Sequence, residues 1–116
     1  MKETLTETWV KIAHIDEFPE DAGVAILIGK LQIAVFNTDS KSRWYATQNL
    51  CPHKQEMAIS RGLVGDLNGE PKVACPFHKK TFSLENGKCL SGDPFELQTY
   101  QVDILDNYVY VNAVSS

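Results

Sequence analysis

Cys51-Pro52-His53 and Cys75-Pro76-Phe77-His78 are the two short motifs around which this 116-residue chain is organised. Each motif places an imidazole two or three residues after a thiol. Two cysteines and two histidines in this order can supply four metal ligands. A Cys–His pair so close in sequence must lie on one tight loop if both side chains are to reach one metal, and the proline after each cysteine fixes φ. The pattern therefore predicts two loops that hold one inorganic centre between them.

Length and composition are those of one globular domain. A chain of 116 residues with 43% apolar and 22% charged residues is ordinary for this class. The net charge of −4 argues against a nucleic-acid partner, which would require a basic face.

Several absences in the sequence bear on location. No apolar run approaches the roughly 20 residues that span a membrane, and the polar start Met1–Thr4 lacks the apolar core of a signal peptide. Two of the three cysteines lie in the motifs, so a disulfide framework is not expected. We therefore predict no membrane association and a cytoplasmic location, where thiols stay reduced.

Short β-rich runs separated by Gly, Asn and Asp turns predict an all-β sandwich or barrel of antiparallel strands. Gly29-Lys30 is typical of a two-residue hairpin turn, and Asn86-Gly87 marks another. A short helical turn is predicted within Lys54–Ser60, ended by the glycines that follow, and Asn112–Ser116 is predicted to be a free tail. The predicted strands are Thr8–Ala13, Val24–Ile28, Leu31–Phe36, Arg43–Thr47, Lys72–Ala74, Thr81–Leu84, Lys88–Leu90, Leu97–Leu105 and Tyr108–Val111.

Three interpretations of Cys51, His53, Cys75 and His78 are open from the residues themselves. They could be two buried thiols and two incidental imidazoles. A structural Zn²⁺ suits a Cys₂His₂ set, although zinc sites usually pair Cys with Cys and His with His. In a Rieske [2Fe–2S] centre one iron is held by two Cys and the other by two His, and two loops that each offer one of each satisfy that arrangement directly.

The chain from Asn49 to Val111 resembles a Rieske ferredoxin-type domain. The resemblance implies that 1–116 is a single Rieske-type domain, with a base β-sandwich at about 5–48 and 85–112 and a cluster-binding subdomain at about 49–84. The matching features are Cys51-Pro52-His53, Ser60-Arg61-Gly62, Gly69, Val73-Ala74-Cys75-Pro76-Phe77-His78, Phe82 and the Asn86-Gly87 turn. It further implies that Cys51 and Cys75 bind one iron of the cluster, and that His53 and His78 bind the other.

Five positions depart from the respiratory members or from most members of that family. Glu56 and Phe77 stand where respiratory members carry two more cysteines, so their extra disulfide is absent. Lys80 and Phe82 replace a Ser and a Tyr that hydrogen-bond the cluster, and their loss implies a potential nearer about −150 mV than about +300 mV. Lys79 replaces a glycine, so it could crowd the loop or bring positive charge close to the cluster.

Nearly the whole chain also resembles the small subunit of assimilatory NAD(P)H nitrite reductase. That family implies a large-subunit partner with FAD, a [4Fe–4S] cluster and sirohaem, which reduces nitrite to ammonium. The stretches that carry the resemblance are Pro19–Ala25, Ile59–Gly65, Gly69–Pro76, His78–Leu84 and Gly87-Lys88-Cys89.

Two other functions stay open. The chain could be a stand-alone Rieske ferredoxin that serves a ring-hydroxylating dioxygenase, although such carriers usually have a glycine at the place of Lys79. It could also be a structural subunit without a redox role. No catalytic triad, phosphate-binding loop or paired-carboxylate site is visible in the sequence. The chain is therefore predicted to pass electrons without a substrate site of its own.

Residues outside the ligand set receive simpler interpretations. We expect the ligand loops to form an exposed, mostly apolar tip that docks on the large subunit, because such patches rimmed by charge mark interfaces. His14 is predicted to be exposed, Trp9 and Trp44 to be core or near-core aromatics, and Cys89 to be a small buried hydrophobe. The expected tip residues are Pro52, Met57, Pro76 and Phe77, with a rim of Lys54, Lys79 and Lys80.

Overall fold

A computed structural model of the chain describes residues 9–38, 41–51, 56–67, 69–76, 80–92 and 94–115. These residues form eleven strands and two short 3₁₀ turns, Ile15–Glu17 and Ile59–Arg61, which confirms the all-β prediction. Within this part of the chain, no helix is long and apolar enough to cross a membrane. The strands are β1 (Trp9–His14), β2 (Gly23–Ile28), β3 (Leu31–Thr38), β4 (Arg43–Gln48), β5 (Leu50–Cys51), β6 (Glu56–Met57), β7 (Leu63–Leu67), β8 (Glu70–Ala74), β9 (Thr81–Ser83), β10 (Thr99–Leu105) and β11 (Tyr108–Ser115).

Six strands form one antiparallel, nearly closed, barrel-like sheet in the order β1-β11-β10-β4-β3-β2. The hairpin predicted at Gly29-Lys30 is present, and β2 and β3 pair in unbroken register from Gly23↔Phe36 to Ile28↔Leu31. Gly29 adopts a φ of +61°, which a glycine reaches at no steric cost. The predicted turn and the strand ends that flank it are therefore confirmed, while β2 begins one residue earlier and β3 ends two residues later than predicted.

Strand β3 joins two apolar cores because successive side chains of a strand point to opposite faces. Ile33 and Val35 pack inside the barrel-like sheet with residues such as Val109. Ala34 and Phe36 pack on the other face against the segment that carries the cysteine motifs. All of these side chains are fully buried. The six-stranded sheet is thus the support on which the cysteine segment rests.

The cysteine segment is built from much shorter strands. β5 and β6 form a two-stranded pair, and β7, β8 and β9 form a three-stranded sheet. The turn predicted at Asn86-Gly87 is present: Gly87 has a φ of +80° and its N–H donates to the Ser83 carbonyl. A Cβ on Gly87 would overlap the carbonyl oxygen of Leu97, so both backbone conformation and space require glycine there. The division of the chain into base and cluster-binding subdomain remains a prediction.

Several expectations about local structure were wrong in whole or in part. The strand predicted at Lys88–Leu90 is not a strand, since Lys88 and Cys89 form isolated bridges with Glu96 and Phe82. Asn112–Ser116 is not a free tail, because β11 continues to Ser115 and pairs with both β1 and β10. Gly62 and Gly65 were expected to end a helical turn; Gly62 does end the second 3₁₀ turn, but Gly65 lies inside strand β7. Within Lys54–Ser60, the described residues form β6 and the start of a 3₁₀ turn, while Lys54 and Gln55 lie outside the described residues. Finally, β10 begins at Thr99 rather than at Leu97.

His14 was expected to be exposed, but its side chain is two-thirds buried, with 33% relative exposure. Its ring packs edge-to-face on Tyr108, with ring centroids 5.1 Å apart. Nδ1 accepts a hydrogen bond from the N–H of Asp16, 3.1 Å away, at the start of the first 3₁₀ turn. His14 therefore contributes to the end of the sheet opposite the cysteine motifs. Trp44 behaves as predicted, since it packs edge-to-face on buried Phe18.

Candidate metal centre

The fold brings the two motif cysteines together although 24 positions separate them in sequence. Cys51 ends β5, and Cys75 directly follows β8. Their Sγ atoms lie 3.3 Å apart, and both residues are 0% exposed. Neither cysteine is in a disulfide. They lie in the apolar core that also holds Phe36, Val73 and Phe82.

The spacing of this sulfur pair is close to that of two thiolates on a shared tetrahedral metal. With metal–sulfur bonds of about 2.3 Å, two thiolates on one tetrahedral metal lie about 3.8 Å apart. The separation of 3.3 Å between Cys51 and Cys75 is within half an ångström of that value. Two buried thiols in apolar surroundings therefore fit an iron of an iron–sulfur cluster, and they equally fit a zinc ion.

Buried hydrogen bonds of Asn49 close the first cysteine loop. The residue is 2% exposed and stands two positions before Cys51. Its main-chain carbonyl accepts hydrogen bonds from the N–H groups of Ala58 and Ile59 at 3.0 and 3.1 Å. Its side-chain Oδ1 accepts a third from the N–H of Ser60 at 2.7 Å. The chain therefore leaves Asn49, passes through Cys51 and returns to form hydrogen bonds with Asn49 at residues 58–60.

Gln48, the neighbour of Asn49, holds the same strand from the other side. Its Nε2 donates to the carbonyl of Leu50 at 2.6 Å, and its Oε1 accepts from the N–H of Gln98 at 2.8 Å. The two-residue strand that ends in Cys51 is thus flanked by two side-chain amides. Sequence reasoning missed both roles, because an isolated polar residue at the end of a strand carries no periodic signal.

Main-chain contacts hold the second cysteine loop. The N–H of Cys75 donates to the carbonyl of Lys80 at 2.8 Å and closes the loop. Strand β8, which precedes Cys75, pairs with β7 on one side and β9 on the other. Gly62 lies against the end of β8, where a Cβ would overlap the carbonyl oxygen of Ala74. The position of Cys75 is therefore set by close backbone packing.

Large apolar side chains are exposed beside both cysteines. Met57, 45% exposed, pairs with Leu50, the residue before Cys51. Leu63, 79% exposed, pairs with Ala74, the residue before Cys75. The exposure of Leu63 was not predicted, because a leucine in a sequence is taken by default as core. Pro76 is also exposed, as expected for a tip residue.

The remaining expected site residues divide into two groups. Lys80 is half-buried, Phe82 is fully buried, and Cys89 is half-buried and packs against the core around the two cysteines. Cys89 is therefore less buried than expected. The other expected residues lie outside the described residues, so the four-ligand set and most of the tip remain predictions. These residues are Pro52, His53, Lys54, Phe77, His78 and Lys79.

Comparison with known proteins shows the class to which this fold and thiol pair belong. The family model described as a Rieske-like [2Fe–2S] domain matches residues 8–112, and the chain belongs to that family. Its relatives include nitrite reductase small subunits. The NADH nitrite reductase small subunit of Escherichia coli K12 is 32% identical over 101 residues, which cover 87% of this chain and 94% of that protein.

Two further similarities point the same way. A crystal structure assigned as an NADPH nitrite reductase small subunit superimposes with a TM-score of 0.83 at 37% identity, and it covers 92% of this chain and 98% of that one. The NAD(P)H nitrite reductase of Emericella nidulans is 34% identical over 113 residues, 90% of this chain. This chain spans only 10% of the length of that fungal protein.

Similarity also extends to dioxygenase ferredoxins. The ferredoxin component of the naphthalene 1,2-dioxygenase/salicylate 5-hydroxylase systems of a Ralstonia species is 31% identical over 102 residues. The match covers 86% of this chain and 90% of that protein. Both electron-transfer functions considered from the sequence thus have a relative of similar length.

Proposed function

We propose that this chain is the electron-transfer small subunit of an NAD(P)H nitrite reductase and that it holds a Rieske [2Fe–2S] cluster on Cys51, His53, Cys75 and His78. The observation that carries the proposal is the pair of buried thiols 3.3 Å apart, in a chain that matches 94% of a nitrite reductase small subunit. A cytoplasmic location is part of the proposal, because both cysteines must stay reduced to bind metal.

The cluster, when bound, supplies a one-electron redox centre. The residues of this chain hold it and set its surroundings. Cys51 and Cys75 would bind one iron from inside the apolar core, where Phe82 excludes water. A Phe at position 82 offers no hydroxyl to hydrogen-bond a cluster sulfur. This supports a potential at the lower end of the Rieske range.

The proposed partner is a large subunit that carries FAD, a [4Fe–4S] cluster and sirohaem and reduces nitrite to ammonium. The fungal relative supports a close association, because there a region similar to this chain is part of one long nitrite reductase polypeptide. The present chain would contribute an electron-transfer or accessory role to that enzyme. Whether it takes a direct part in catalysis is what a reconstitution assay would decide.

The surface around the two cysteine loops is the proposed docking site. Exposed Met57, Leu63 and Pro76 support it. Met57 and Leu63 each pair with the residue before a motif cysteine, and Pro76 directly follows Cys75. Exposed apolar side chains grouped near charge commonly mark interfaces. The remainder of the proposed site is Pro52, Lys54, Phe77, Lys79 and Lys80.

The assay for this proposal is nicotinamide-dependent nitrite reduction by the large subunit, with and without the small subunit. We expect activity to depend on the wild-type small subunit. The double variant Lys79→Glu/Lys80→Glu should support less activity at limiting concentration, most at low ionic strength, because charge at an interface rim acts on the association rate. Equal activity with wild type, double variant and no small subunit would reject a role in this enzyme.

A stand-alone dioxygenase ferredoxin is the second candidate, and the similarity to the Ralstonia ferredoxin component favours it. The two candidates predict different electron acceptors. A ferredoxin would be oxidised rapidly by a terminal ring-hydroxylating oxygenase, whereas the nitrite reductase subunit would be oxidised only in the presence of its large subunit. A stopped-flow measurement of cluster bleaching or recovery with each acceptor distinguishes them.

A further inference from the structure

The side-chain amide of Asn49 has an orientation that its neighbours fix. The main-chain N–H of Ser60 can only donate, so the Asn49 atom 2.7 Å away must be the carbonyl Oδ1. The Nδ2 group is thereby directed towards β3, where it donates to Oε1 of Gln32 at 3.0 Å. The Gln32 amide is consequently fixed as well. One backbone donor therefore determines the orientation of two side-chain amides.

This hydrogen-bonded chain connects the first cysteine loop to the six-stranded sheet. Gln32 belongs to β3, and its main-chain carbonyl also accepts the N–H of Asn49 at 3.2 Å. On the other side, Asn49 accepts from the three consecutive N–H groups of Ala58, Ile59 and Ser60. These N–H groups lie at the start of the second 3₁₀ turn. The N-cap residue of that turn, Ala58, provides no side-chain hydrogen bond to it. Asn49 caps the turn in its place.

The position of the Cys51 thiol follows from this arrangement. The segment 50–57 follows Asn49 in sequence, and the three residues after it, Ala58–Ser60, donate hydrogen bonds back to Asn49. Within the segment, β5 and β6 share only two residue pairs. Such a short strand pair is not stable by itself. The second thiol, Cys75, is held independently by β7, β8 and β9. The 3.3 Å approach of the two Sγ atoms thus depends, on the Cys51 side, on Asn49.

We propose that Asn49 is a positioning residue for the metal centre, which fixes the Cys51 thiol against the Cys75 thiol through its link between Gln32 and Ser60. The nature of the bound group rests on the proposed function. The geometry of the thiol pair does not rest on the proposed function. A test of that geometry can therefore fail or succeed independently of the proposed function.

Asn37 provides a matched control within the same chain. It is 0% exposed, and its amide also fixes a loop: Oδ1 accepts from the N–H of Asp21, and Nδ2 donates to the carbonyl of Pro19, both at 2.8 Å. That loop contains no cysteine. Asn37→Ala therefore removes a buried, loop-fixing amide without touching the candidate centre.

The first arm of the test uses the full chain without a cluster, in a Cys89→Ala background so that only two thiols remain. Phenylarsine oxide, a trivalent arsenical that bonds to two neighbouring thiols, is the probe. Both thiols are buried, so the probe is left to react to equilibrium. Because a stable chelate requires both thiols in place, Asn49→Ala should weaken the equilibrium binding of the arsenical about tenfold, while Asn37→Ala leaves it within about twofold of the parent. Equal binding affinities for Asn49→Ala and Asn37→Ala would overturn the proposal.

The second arm uses the chain reconstituted with iron and sulfide. Asn49→Ala should shift the EPR signal and reduction potential and shorten the half-life of the cluster in a chelator, and Asn37→Ala should leave all three unchanged. A role in stability alone would lower the melting temperature of both variants without separating them in these signals. Identical spectra, potentials and half-lives in the two variants contradict the proposal.

Gln32→Met covers the case in which Asn49→Ala does not fold. This substitution removes the Oε1 acceptor but leaves Asn49 itself unchanged, and it should weaken arsenical binding in the same direction. Binding at the parent affinity would overturn the proposal. If the wild-type chain binds the arsenical but takes up no iron–sulfur cluster, the proposed function is rejected, and the arsenical affinities alone decide the role of Asn49.

Discussion

The two cysteine loops place their thiols by different means. In the first loop, hydrogen bonds of the Gln48 and Asn49 side chains add to those that the Asn49 main-chain carbonyl accepts, and together they hold a strand of two residues that ends in Cys51. In the second loop, a five-residue strand that leads to Cys75 is paired on both sides and packed against a glycine. The sulfur atoms nevertheless meet at 3.3 Å.

This difference implies different sensitivities to substitution. A side-chain hydrogen bond is lost when the side chain is truncated, so the first loop is sensitive to changes of single polar residues. Main-chain packing survives such changes and is disturbed by added volume instead. The two thiols of the candidate centre therefore rest on two kinds of support, and substitutions chosen for each kind distinguish them.

Loss of either cysteine is the largest expected effect and should be the same for both loops. Cys51→Ala and Cys75→Ala should each abolish cluster formation, because each would remove one of two thiolates from the same iron. Cys89→Ala is the control, since Cys89 lies half-buried beside the same core and is not in either motif. Iron and sulfide content after anaerobic reconstitution measures the effect. A stoichiometric cluster in either motif variant would show that the paired thiols are not ligands.

The second loop should be destabilised by an added methyl group at Gly62 and not by one at Gly65. A Cβ on Gly62 would overlap the Ala74 carbonyl, so Gly62→Ala should lower the free energy of unfolding by about 2–3 kcal/mol. At Gly65, the nearest atoms to a Cβ are at the end of the Lys72 side chain, 3.8 and 3.9 Å away. Gly65→Ala should therefore be close to neutral, within about 0.5 kcal/mol.

Urea unfolding of the cluster-free chain provides this measurement. Similar losses for the two glycine variants would show that the close approach of Gly62 to β8 does not support the second loop. A normal unfolding free energy for Gly62→Ala would lead to the same conclusion.

The smallest expected effect concerns the surface beside the second loop. Leu63→Glu should reduce the activation of the large subunit by about threefold to tenfold at limiting small subunit, because it places a charge in the proposed apolar contact. Gln101→Glu adds the same charge at an exposed strand position of the six-stranded sheet and should have no effect. Nitrite reduction titrated with each variant measures this. Indistinguishable titrations would remove Leu63 from the docking surface.

Much of the six-stranded sheet could be predicted from sequence because its strands are long, β-rich and joined by recognisable turns. The Gly29-Lys30 hairpin is the clearest example. The last part of β11, Asn112–Ser115, could not be predicted, because it consists of small residues and becomes a strand only through pairing with β1 and β10. Strand β7 was hidden by the glycine inside it, which pairs with Lys72 as an ordinary strand residue.

The residues of the candidate site also divide into those that the sequence predicts and those that it does not. The meeting of Cys51 and Cys75 follows from motif spacing and chemistry, and the structure brings both thiols together. The residues that support them do not follow from sequence, because the role of Asn49 depends on partners 17 and 11 positions away. Family membership was recognisable because several short motifs occur in a fixed order.

The most direct test of the central claim is EPR spectroscopy of the reduced chain after anaerobic reconstitution with iron and sulfide. Two imidazoles on one iron distinguish a Rieske centre from a cluster held by four cysteines. We predict a Rieske-type signal, with a lower average g value than that of an all-cysteine cluster, and two irons and two sulfides per chain. A colourless protein that retains one equivalent of zinc and gives no such signal would contradict the account.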